Sequence, residues 1–149
     1  MRPSTKAVIA SVALLFASSY AAYAQQGFPA PNEDEAELEL IAPQHLEIVR
    51  GPVLARFTLS GMGIAPAGVN YPNTGHIHLL IDLPLEEIDL SKPLPFTLEV
   101  IHLSHGETEV IVDLEPGTYT LQAILTDHEH VAFDPLVASE VVTIYVRHP

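Results

Sequence analysis

The chain has no cysteine and no tryptophan among its 149 residues. The first absence excludes disulfides and a thiolate nucleophile. A small domain of this kind must hold together by burial alone, or by burial plus a metal. The two absences together exclude the Cys–Trp–Cys signature of antibody domains. Basic residues are scarce: six Lys and Arg stand against nineteen Asp and Glu, giving a net charge of −13 with His neutral. So acidic a surface repels nucleic acid and anionic lipid, and attracts cations, metal ions included. Apolar runs of membrane-span length are also missing.

The longest apolar run, "AVIASVALLFAS", covers Ala7 to Ser18 and follows Arg2 and Lys6. "AYA" at Ala22 to Ala24 is a small-x-small cleavage site, so residues 1–24 read as a secretory signal peptide. The expectation is an exported protein, periplasmic or extracellular, with no membrane span after cleavage and no Cys to carry a lipid. Cleavage removes two positive charges and takes the net charge from −13 to −15, leaving Arg50, Arg56, Lys92 and Arg147 as the cations. Residues 25–36, rich in Pro and acid, read as a flexible leader. A single domain is expected over residues 37–149.

From there the signals are β. "ELELIAP" alternates and stops at Pro43. "PVLARFTLSG" puts Val53, Ala55, Phe57 and Leu59 on one face. "GMGIAPAGVNYPNTG", Gly61 to Gly75, reads as a long specialised loop. Further strands are expected at His76–Asp82, Phe96–Leu103, Thr108–Leu114, Thr118–Asp127 and Ser139–Val146, with a connection over Leu83–Pro95. Short strands with frequent turns and no amphipathic helix predict an all-β fold, an antiparallel immunoglobulin-like β-sandwich of about seven strands.

Six of the eight histidines fall in three clusters: His76/His78, His102/His105 and His128/His130. In "HIHLLID", alternation sends Ile77, Leu79 and Ile81 to the core and aims His76 and His78 to the other side. Two imidazoles on one strand face, about 6–7 Å apart at the backbone, can converge on one ion. Continuing the Thr118–Asp127 alternation through "DHEH" puts His128 and His130 together, away from Tyr119, Leu121 and Leu125. The predicted metal ligands are therefore His76, His78, His102, His128 and His130. Imidazole suits copper and zinc, and copper ranks ahead of zinc. Asp82 and Asp127 adjoin the clusters as candidates to orient a ligating ring, and Met62 precedes the first pair in the glycine-rich loop. His45, His105 and His148 are left out.

Other chemistry is thin. No Ser has a nucleophile-elbow context. "GMGIAPAG" lacks the Lys and following helix of a phosphate loop.

The segments "LSGMGIAPAGVNYPNTGHIHLLID", "HGETE", "LEPGTYTLQAILTDHEHVAFDP" and "SEVVTIYV" resemble the bacterial exported family known as domain of unknown function 4399. The resemblance spans about Ala42 to Val146 and implies a small exported all-β protein of unestablished activity. It matches His76, His78, His102, His128 and His130 to family histidines. The chain departs from the family pattern at Ile77, Val100 and Phe133, where the pattern has His.

Three functions are compatible with this pattern. The leading one is metal binding, storage or delivery. The second is a non-catalytic envelope module that binds a protein or glycan through the Gly61–Gly75 loop. The third is a superoxide-dismutase-like copper enzyme, ranked behind the non-catalytic readings.

Overall fold

The structure, a computed structural model, describes residues 35–149. The expected signal peptide and all but the last two residues of the expected leader lie outside the described residues.

Among the described residues nine strands form: β1 Glu37–Ala42, β2 Glu47–Arg50, β3 Val53–Ser60, β4 Gly63–Ile64, β5 Thr74–Ile81, β6 Val100–His102, β7 Glu109–Val112, β8 Gly117–Thr126 and β9 Val142–Arg147. They build two sheets. The smaller has the order β1-β3-β7, and the larger β2-β9-β8-β5-β4, with β6 also paired to β5. The all-β sandwich expected from the alternation is therefore present.

Its core lies between the sheets. Leu38, Leu40, Val53, Ala55 and Phe57 of the smaller sheet meet Ile77, Leu79, Ile81, Leu121, Ala123, Leu125 and Ile144 of the larger. Each aliphatic side chain fully buried here contributes about 1.5–3 kcal/mol. Alternation places each of them: the buried positions of β1 and β3 are every second residue.

The larger sheet is mixed rather than purely antiparallel, which departs from the immunoglobulin-like layout expected. β2 runs parallel to β9, and β4 runs parallel to β5. β2 is the strand that the sequence hid. It has four residues, and Ile48 is exposed, so it carries no buried alternation. The Gly61–Gly75 segment is less irregular than expected, because Gly63 and Ile64 pair with Thr74 and Gly75. The Phe96–Leu103 strand shrinks to three residues, and Phe96 and Leu98 are exposed.

The outer face of the larger sheet differs most from expectation. Alternation marks it as the polar side, yet from Gly75 to Ile81 every residue of β5 is buried. A second apolar cluster covers this face. Leu80, Leu94, Val100 and Ile124 form its centre, packed by Leu83, Leu85, Ile88, Leu90, Ala132 and Ala138. The covering residues come from the segment between β5 and β6 and from the segment after β8. His76 and His78 lie beneath that cover.

Candidate metal centre

Strand pairing assembles the site. β5 runs between β6 and β8. His78 lies opposite His102 on one side and Ile124 on the other, and His76 lies opposite Thr126. Residues directly opposite in a sheet bring their side chains within reach on one face. His76, His78, Thr126 and His102 thus share the covered outer face.

His130 arrives by a different route. β8 ends at Thr126, and the Asp127 carboxylate Oδ1 accepts the backbone N–H of Glu129 (2.8 Å) and of Val131 (3.0 Å). The Asp127 N–H in turn donates to the Val131 carbonyl at 2.8 Å. This tight turn places His130 at φ 68°, in the left-handed region, and swings its ring over the strand face. The Leu94 N–H donates to the His130 carbonyl and ties the turn to the covering segment.

Three ring nitrogens then converge, with that of His102 beside them. His76 Nε2 lies 2.9 Å from His130 Nδ1, and His78 Nε2 lies 2.9 Å from His102 Nδ1. His130 Nδ1 is 3.2 Å from His78 Nε2 and 3.4 Å from His102 Nδ1. His76, His78 and His130 each offer a nitrogen within 4.8 Å of the others, a grouping able to hold a metal ion. His102 adjoins this triad on the side of His78 and His130. His76 and His78 are fully buried.

Burial and crowding favour the neutral form of His76, His78 and His102. Burial, then the neighbouring His102, His76 and His130, lowers the His78 pKa from 6.5 to about 2. Burial, then His130 and His102, lowers His76 to about 4 against the opposing charge of Asp127. Burial lowers His102 as well, opposed by its bond to the Pro95 carbonyl. Neutral imidazole is the form that ligates.

The surrounding hydrogen bonds fit a metal. His102 Nε2–H donates to the Pro95 carbonyl at 3.2 Å, so its Nδ1 faces the cluster as a bare lone pair. His78 Nδ1 lies 3.3 Å from the Thr126 hydroxyl oxygen, which can donate its own proton to the Asp127 carbonyl, also at 3.3 Å. Thr126 can therefore accept His78 Nδ1–H and leave Nε2 bare. Fixing the outer nitrogen of a ligating ring in this way is the usual support for a metal-bound histidine. A tetrahedral ion with nitrogens at about 2.0–2.1 Å separates them by about 3.3–3.4 Å. Within the triad, the 2.9 and 3.2 Å contacts of His130 Nδ1 need an opening of only a few tenths of an ångström, whereas His102 lies outside the mutual 4.8 Å grouping and must draw in to become a fourth ligand.

The remaining residues singled out in the sequence fall elsewhere. His128 does not join the cluster, because the Asp127 turn ends the alternation that pairs it with His130. Its ring lines an outer cleft with Asn70, Tyr71 and Phe133. Asp82 sits at the far end of β5, where its carboxylate accepts the Thr120 N–H at 2.7 Å and lies 3.1 Å from the Thr120 hydroxyl. That is four residues, about 13 Å, beyond His78. Met62 is packed in the apolar core. Asp127 does not touch a histidine ring but shapes the turn that carries His130. His105 is exposed and bonds Glu107, and His45 Nδ1 accepts the Thr143 N–H. Sequence reasoning missed Thr126, Pro95 and Phe96. Alternation marks Thr126 as sharing a face with Ile124, whereas the other two carry no periodic signal. The Phe96 ring stacks on His102 at 4.0 Å and 5°.

The fold and site define a β-sandwich with a partly buried, all-nitrogen histidine cluster on the outer face of its larger sheet. The chain belongs to the family described as domain of unknown function (DUF4399), whose model matches residues 55–147. That span contains the triad and His102. No curated protein matches the chain. Among solved structures, it is similar to the endo-beta-1,4-mannanase from Thermotoga petrophila at 15% identity and a TM-score of 0.43, over 81% of this chain and 22% of that one. The chain thus spans about a fifth of that protein.

Proposed function

We propose that this is an exported protein that binds a transition-metal ion, copper before zinc, through His76, His78, His102 and His130, in storage or delivery. One observation carries the reading: the imidazoles of His76 and His78 from β5, His102 from β6 and His130 from the turn after β8 each bring a ring nitrogen within 2.9–3.4 Å of another in the cluster. Bare imidazole nitrogens suit copper and zinc ahead of magnesium or calcium. The signal-peptide pattern at residues 1–24 supports export, and the acidic surface supports capture of a cation. The converging histidines favour this over an interaction module built on the Gly61–Gly75 loop.

The test is metal content. The protein lacking residues 1–24 is loaded with Cu(I), Cu(II) or Zn(II) in separate samples, desalted and analysed for metal per chain. One ion per wild-type chain, and loss of it in His78→Ala and His102→Ala, is the expected result. Equal metal in wild type and variants, or none in any sample, rejects the reading.

A further inference from the structure

We propose that the cluster selects a univalent d10 ion, reduced copper or silver, over a divalent ion. The inference rests on the metal-binding reading above and adds the charge class of the ion.

The donors are imidazole rings, none of which can bring a negative charge to the ion at ordinary pH. Among the described residues, the group of ligand atoms contains no carboxylate. The floor beside them is apolar: Leu80 is two residues from His78, Val100 is two from His102, and Ile124 lies opposite His78. An ion entering such a site keeps its full charge while losing water. The desolvation penalty grows with the square of the charge, so a divalent ion bears roughly four times that of a univalent one. Carboxylate or thiolate ligands reduce it where they are present, and this set supplies neither.

The local charge balance points the same way. Asp127 is the carboxylate of the turn that carries His130. Its Oδ1 is committed to the Glu129 and Val131 N–H groups, which keeps it outside the donor set. One nearby negative charge offsets one positive charge and leaves a divalent ion with a surplus.

The experiment compares ions on the chain lacking residues 1–24. Ag(I), Cu(I) held reduced by ascorbate without oxygen, and Zn(II) are each titrated against a chromophoric chelator. The reduction potential of the bound copper is then compared with copper in excess imidazole. The expected result is one Ag(I) or Cu(I) per chain, dependent on His78, that equimolar Zn(II) does not displace. The copper potential should rise by about 120 mV, the equivalent of a hundredfold preference for the reduced ion. Phe96 is 76% exposed and lies on His102, so Phe96→Glu adds a carboxylate at the rim without disturbing the core. It should narrow the preference by about tenfold, while Phe96→Leu should leave it unchanged. His78-dependent binding in which Zn(II) displaces Cu(I), or a copper potential at or below the imidazole reference, overturns the charge selection and leaves the metal site standing. Absence of binding by every ion overturns both.

Discussion

Thr126 has two ways to bond His78. Its hydroxyl can donate to His78 Nδ1, letting His78 Nε2–H reach His102 Nδ1. Alternatively it can turn its proton to the Asp127 carbonyl and accept from Nδ1–H, freeing Nε2. Only the second arrangement presents a lone pair to an ion. Thr126→Val removes the acceptor and should weaken metal binding about 10–100-fold, whereas Thr126→Ser should retain it, as read by chelator competition. Gly75 is a second residue with a narrow tolerance. A Cβ there would collide with the Thr126 carbonyl oxygen and come within 2.8 Å of the Phe133 ring. Gly75→Ala should therefore destabilise the fold by about 1–3 kcal/mol in urea unfolding, through forced separation of β5 and β8.

At the scale of elements, β5 is buried on both faces, and this has a pH consequence. His76 and His78 have folded-state pKa values of about 4 and about 2, below the 6.5 of the unfolded chain. Between those limits the unfolded chain binds more protons than the folded one, so stability rises with pH. In the metal-free protein, stability should be fully present above about pH 6.5 and fall progressively as pH drops toward 4. Urea midpoints across that range will show it, and His76→Gln should flatten the slope. The covering segment is a second element with a clear role. Leu94 is 1% exposed, its N–H holds His130, and its neighbour Pro95 holds His102. Leu94→Ala should lose about 2–5 kcal/mol of stability and hasten metal loss to a chelator.

These elements also show what the sequence could and could not carry. Alternation located β1, β3, β5 and β8 and assigned the faces of Ile77, Leu79, His76 and His78 correctly. It could not reveal that the His face is covered, because the cover comes from Leu83–Leu94 and Ala132–Ala138, where apolar residues follow no period. His102 was legible as a third contributor, though only the β5–β6 register explains why. His128 and His130 look alike in sequence. The difference lies in Asp127, whose carboxylate caps a turn, a habit of Asp at strand ends.

For the whole molecule, a sandwich without disulfides relies on one large core for stability, while the site occupies a separate, smaller cluster on the outer face. That separation allows the site to be altered without dismantling the core. The departures at Ile77 and Phe133 follow the same division: Ile77 is buried in the main core and Phe133 packs against it. X-ray absorption of the copper-loaded chain tests the four-histidine centre most directly. A first shell of four nitrogens at about 2.0–2.1 Å, with imidazole outer-shell scattering that falls by one ring in His102→Ala, is the expected result. A shell dominated by oxygen, or one unchanged in that variant, would contradict it.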